Sequence, residues 1–172
     1  MNTQKFPLSQ PMHLDECFIE EARKIRQTPA LLTNLSHITQ TYNRLKKAFG
    51  QITINFSIKS HNDPALIKHL HTIGSSFDVA SWAEIRKASR VGVPPTDMVY
   101  STPIKKLSEI QKAYKLGVRE FAFDSLDEVD KIAKVAPKAK LILRILVETD
   151  GSQCPMFKKF GVYIDEALKH LQ

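Results

Sequence analysis

Cysteine, glycine and long apolar runs are all scarce in this sequence, and each shortage excludes something. The two cysteines, Cys17 and Cys154, stand far apart. They make neither a disulfide framework nor a zinc site, and both read as free thiols. No stretch approaches the ~20 apolar residues of a membrane-spanning helix. The first ten residues lack the apolar core of a secretory signal. A cytoplasmic protein with no membrane attachment is expected. The 6 glycines form no phosphate-cradling loop. His69 and His71, two apart on a helical pattern, do not share a face. His13, His37 and His170 have no partner at ligand spacing, so no metal is expected.

Basic residues outnumber acidic ones, 25 to 18, but they are scattered. The only adjacent lysine pairs are at 46–47, 105–106 and 158–159. No aromatic residues interleave with them, as stacking on nucleic acid requires, and no nucleic-acid partner is expected. The charge reads as solvated helix faces, with a mild preference for anions such as phosphate.

What is present is a repeat of strand and helix. Residues 15–27 carry Phe18, Ala22 and Ile25 at helical spacing, and Thr28–Pro29 ends that pattern. Residues 1–29 therefore read as an N-terminal helical segment. Residues 30–35 read as a short strand. A helix with Ile38, Tyr42, Leu45 and Phe49 on one face follows, closed by Gly50. Strands are then predicted at 52–59, 76–81, 98–102, 120–125 and 140–147. Helices are predicted between them at 65–73, 83–91, 107–116 and 126–136, with a last one at 163–171.

Local signals mark the helix ends. Pro64 sits at a first-turn position. Ser81 with Glu84, and Ser125 with Glu128, have capping-box spacing. Gly74, Gly92 and Gly117 stand where left-handed caps are expected. The predicted strands end near Lys59, Ser81, Thr102, Ser125 and Val147. So even a spacing argues for βα units and a parallel sheet, with helices on one side or around a barrel. In such folds the ligand sits at the carboxyl ends of the strands. Here those ends carry Lys59, Asp78, Ser81, Ser101, Thr102, Asp124, Ser125, Arg144 and Glu148.

Lys59 stands out among them. Ile52, Ile54, Phe56 and Ile58 share one face of their strand, and Thr53, Asn55, Ser57 and Lys59 share the other. If the apolar face meets the helices, Lys59 points into a barrel lumen. There it would lose solvation and become nucleophilic toward a carbonyl. An exposed lysine where a strand ends is the plainer reading of position alone.

A family resemblance favours the first reading. Phe56-Ser57-Ile58-Lys59 resembles the aromatic-x-x-Lys strand of the ornithine/diaminopimelate/arginine decarboxylases, which are fold type III pyridoxal phosphate enzymes. Residues 74–81 with Glu84 resemble that family's second-strand motif, Tyr100 to Lys105 its third, and Phe123-Asp124-Ser125 with Glu128 its fourth. Leu143-Arg144-Ile145 resembles the fifth, and Lys158-Lys159-Phe160-Gly161 the signature that follows. Order and spacing agree from about residue 30 to 165, and the ornithine-type enzymes look most similar.

The resemblance implies an α/β fold, a partial (β/α)8 TIM-type barrel of alanine racemase-like form with about five barrel strands over residues 30–172. It implies pyridoxal 5'-phosphate as cofactor, held as a Schiff base by Lys59. Asp78 would lie beside it, orienting the lysine or the substrate amine. Arg144 would join the polar network under the pyridine ring. Lys159 would meet an acidic residue across a dimer interface. The plainer alternatives are a helix-capping Asp78, an internally paired Arg144 and a surface Lys159.

The implied activity is decarboxylation of a basic amino acid, ornithine first, in polyamine biosynthesis. The sequence departs from the family at His61, where asparagine is usual, and at Met156-Phe157, where Leu-Ser is common. A full barrel of this type needs ~250 residues. The family's cofactor-stacking histidine, phosphate loop, ring-nitrogen acid and substrate-binding cysteine and aspartate would all fall later. An incomplete chain, inactive alone, is therefore expected to associate with itself or with a complementing C-terminal chain. A non-catalytic homologue that binds a partner, or a small pyridoxal phosphate carrier, are the alternatives.

Overall fold

Alternation of side chains along short strands, and apolar stripes along the helices between them, build one core. The structure is a computed structural model and describes residues 16–147 and 160–167. Its helices are α1 (Glu16–Arg23), α2 (Leu35–Phe49), α3 (Pro64–Thr72), α4 (Trp82–Arg90), α5 (Leu107–Leu116), α6 (Leu126–Val135) and α7 (Ile164–Ala167). Its strands are β1 (Asn55–Ser57), β2 (Ser76–Val79), β3 (Met98–Tyr100), β4 (Glu120–Phe123) and β5 (Lys140–Leu143). They form one parallel sheet in the order β1-β2-β3-β4-β5.

Phe77, Val79, Met98, Tyr100 and Phe121 send one sheet face into a shared core. Leu66, Ile67, Leu70, Ile85, Ala88, Ile110, Ala113 and Ile132 of α3–α6 meet them there. Burying such side chains contributes roughly 1.5–3 kcal/mol each. The intervening residues Ser57, Asp78 and Val99, in register across three strands, must face the other way. An arc of βα units with helices on one face is the geometry of a β/α barrel, as expected.

The predicted elements hold with trimmed ends. Leu107–Leu116 matches its prediction. Gly74, Gly92 and Gly117 take positive φ after their helices. Ser81 accepts the Glu84 N–H, and Glu84 accepts the Ala80 N–H. Ser125 accepts the Glu128 N–H, but the Glu128 carboxylate does not close a box, because buried Lys105 draws it inward.

Three expectations need correction. Residues 30–34 form no strand, because Asn34 caps α2 by accepting the His37 N–H, and no neighbouring strand pairs with them. Strand β1 is short. Ile52 is exposed, and the chain turns into a 3-10 turn at Ile58–Ser60. Strand β5 stops at Leu143, after which only Ile145 pairs, with Val162. Of the last predicted helix, Ile164–Ala167 is described. There Ile164 is exposed.

Candidate functional site

The carboxyl ends of β1 to β5 bring most of the expected polar residues to one rim. Two of them serve the fold instead, since Ser81 and Ser125 cap α4 and α6. Asp78 does not cap α4. It is half-buried, and its Oδ1 accepts a short hydrogen bond from the Ser101 hydroxyl. Ser101 is itself held by its N–H to the Val79 carbonyl, 3.0 Å away.

Lys59 lies one turn beyond β1, at the open edge of the sheet, and is exposed. The expected burial of this amine is not met. Among the described residues, strand β1 has a neighbouring strand on one side only. The Ser60 hydroxyl donates to the Ser57 carbonyl at 2.7 Å and fastens the turn that carries the lysine. No described carboxylate pairs with Lys59. His61, two residues on, meets the Thr33 hydroxyl at 3.1 Å.

Arg144 is half-buried, and its guanidinium lies 5.5 Å from the centre of the Phe160 ring. No described carboxylate pairs with it. Its backbone organises the segment that returns after residue 159. The Val162 N–H donates to the Arg144 carbonyl at 3.0 Å, and the Leu146 N–H donates to the Val162 carbonyl at 2.8 Å. Asp124 Oδ2 accepts the Gly161 N–H at 3.0 Å. Gly161 has φ +110, and a Cβ there would stand 2.8 Å from the Leu146 nitrogen. Only glycine lets the two backbones approach this closely. Lys159, Cys154 and Glu148 lie outside the described residues.

Sequence reasoning missed Lys105. Its amine is fully buried and donates to the Thr102 carbonyl at 2.8 Å and the Ala122 carbonyl at 2.6 Å. It stands 3.0 Å from Glu128 Oε1. This is a charge contact off the hydrogen-bonding direction, since that oxygen accepts no aligned hydrogen bond. The Tyr100 ring lies 5.6 Å away. Burial pushes the Lys105 pKa below the ordinary lysine value, against the pull of Glu128. Lys131 pairs with the same carboxylate and donates to the Lys105 carbonyl at 2.9 Å. The ends of β3 and β4 are thus clamped from below, next to Ser101 and Asp124. Lys105 stands in the third motif and Glu128 in the fourth, but neither motif points to this pairing, and the capping-box spacing of Glu128 points to a cap.

Tyr100 is the other buried ionisable group of this region. Its hydroxyl donates to Glu109 Oε2 at 2.9 Å. Burial first, then that carboxylate, raises its pKa above the ordinary tyrosine value. Among the described residues no helix is long and apolar enough to cross a membrane.

Comparison with known proteins gives this rim a family. The model of the pyridoxal binding domain of pyridoxal-dependent decarboxylases matches residues 35–172. Ornithine decarboxylase of Neurospora crassa is 35% identical over 134 residues, covering 78% of this chain and 28% of that protein. A lysine/ornithine decarboxylase of Selenomonas ruminantium is 30% identical over 159 residues, covering 92% and 40%. The crystal structure of the Selenomonas ruminantium lysine decarboxylase superimposes with a TM-score of 0.81 at 30% identity, covering 96% of this chain and 42% of that one. The arginine decarboxylase of Paramecium bursaria Chlorella virus, bound to agmatine, gives 0.72 at 30% identity, covering 80% and 36%. The chain thus spans well under half the length of these relatives. From motifs, sheet and matches together, the chain belongs to the pyridoxal-dependent decarboxylases, and residues 35–172 are its pyridoxal binding domain.

Proposed function

We propose that this chain is the cofactor-bearing portion of a decarboxylase acting on a basic amino acid, ornithine first, with Lys59 as the amine that holds pyridoxal phosphate. One observation carries the reading. The lysine of the first-strand motif stands at the carboxyl rim of the barrel sheet, just past β1, the strand that pairs with the Asp78 strand. No carboxylate among the described residues pairs with it, as an amine that must meet an aldehyde requires. The ornithine, lysine and arginine decarboxylases among its relatives support the substrate class.

The residues present fit the cofactor. A buried Ser57 hydroxyl without a partner, the Asp78 carboxylate and the Arg144 guanidinium offer donors and charge at the same end of the sheet as Lys59. When bound, pyridoxal phosphate supplies a ring that drains the charge left at Cα on loss of carbon dioxide. Lys59 would hold the aldehyde carbon. Asp78, steadied by Ser101, would orient the lysine or the substrate amine. Arg144, braced on Phe160, would sit in the polar network beneath the ring. Lys159 is proposed to meet an acidic residue across an interface between chains. Partner strands, from a second copy or from a chain carrying further barrel strands, would cover the exposed apolar edge at Leu141, Ile142, Ile145 and Val147.

The test is chemical. Incubation with pyridoxal phosphate, borohydride reduction and peptide mapping should place the label on Lys59, and Lys59→Ala should abolish it. Label on another lysine would overturn the assignment.

A further inference from the structure

Asp78 lies between two serines. Ser57 is its register partner on β1. Ser101 follows Val99, its register partner on β3, by two residues, and so belongs to the same face. The two hydroxyls have different fates. Ser101 donates to Asp78 Oδ1. Ser57 Oγ is shut off from water and has no hydrogen-bond partner. A hydroxyl desolvated without compensation opposes folding, so its presence beside a carboxylate and two residues before Lys59 calls for a ligand. The only other buried hydroxyl among the described residues in this condition, that of Ser89, is on α4 and outside this cluster.

We infer that Ser57 is a cofactor-contacting residue, its hydroxyl reserved for a polar atom of the pyridoxal phosphate held at Lys59, while Ser101 fixes the adjacent Asp78 carboxylate. This rests on the reading that Lys59 holds the cofactor. It separates cleanly from a packing role. A packing hydroxyl stabilises the free chain when present. A hydroxyl kept for a ligand destabilises the free chain and strengthens ligand capture.

The experiment uses the full chain as Ser57→Ala and Ser57→Thr, with pyridoxal phosphate as the probe. Thermal unfolding is measured without cofactor, and capture by absorbance of the bound chromophore and by borohydride fixation on Lys59. Ser57→Ala should raise the melting temperature of the free chain and weaken capture about tenfold, the loss of one hydrogen bond of ordinary strength. Ser57→Thr, which keeps the hydroxyl, should retain most of the capture. A lower melting temperature in Ser57→Ala, or capture equal to that of the unaltered chain, overturns the inference. If the unaltered chain fixes no cofactor on Lys59, the assignment of Lys59 fails and Ser57 falls with it. If Lys59 is labelled and Ser57→Ala is labelled equally well, only the role of Ser57 fails.

Discussion

At the scale of single residues, the polar groups of this rim divide into those that hold the fold and those left for a ligand. Lys105 belongs to the first group. Its amine satisfies two carbonyls at strand ends and shares the Glu128 carboxylate with Lys131. Lys105→Met would leave both carbonyls without that donor and Glu128 with Lys131 alone. Breaking a buried pair in this way costs roughly 3–5 kcal/mol, and urea unfolding of the variant should show a loss in that range. A loss below about 1 kcal/mol would mean that the clamp contributes little. Lys59 contrasts with it, being exposed and without a carboxylate partner among the described residues. Which of two lysines is buried cannot be read from residue type. It depends on which groups converge on the amine, and of these Ala122 lies 17 residues away along the chain and Glu128 farther still.

At the scale of elements, Tyr100 joins β3 to α5 through Glu109, and Glu109 Oε2 also accepts the Trp82 N–H of α4 at 3.5 Å. Because the folded state raises the tyrosine pKa, its neutral form favours folding. That contribution is complete below pH 10, the unfolded value, and is lost as pH rises beyond it. Lys105 acts in the opposite sense. Its folded pKa is lowered, so between that value and 10.5 deprotonation favours the folded chain. The two are separable by mutation. Tyr100→Phe should cost about 1 kcal/mol at pH 8, the net value of one hydrogen bond. It should also reduce the decline in melting temperature expected of the unaltered chain above pH 10. An unchanged alkaline decline in the variant would assign it to other groups.

The elements themselves were largely legible in sequence. The Leu107–Leu116 stripe, the Ser81 cap with Glu84, and the glycines after α3, α4 and α5 depend on contacts a few residues apart. Strand ends were less legible, because alternation continues past the last ladder hydrogen bond into the rim loops. Residues 30–35 looked like a strand because they are apolar, yet pairing needs a neighbour that pattern cannot supply. The Lys59 motif was found as a motif, but its exposure was not, since burial depends on what covers the concave face.

At the scale of the whole molecule, the β5 edge is the least satisfied surface. Val147 is 67% exposed and Ile164 74% exposed. Ile145, Leu146, Val147, Tyr163, Ile164 and Asp165 line a hollow of about 370 Å³ there. An apolar edge with unpaired backbone groups invites added strands. The chain should therefore run above monomer mass in size-exclusion chromatography with light scattering. A stable monomer at low micromolar concentration would contradict this.

The strand order has a kinetic consequence. Among the described residues each strand pairs with the next in sequence, so each strand pairing joins neighbouring βα units. Pairing of sequence neighbours closes shorter loops than pairing of distant strands and so is faster, although parallel pairing stays slower than helix packing. Such pairings also suit vectorial synthesis, because each of the described βα units leaving the ribosome finds its preceding neighbour already waiting.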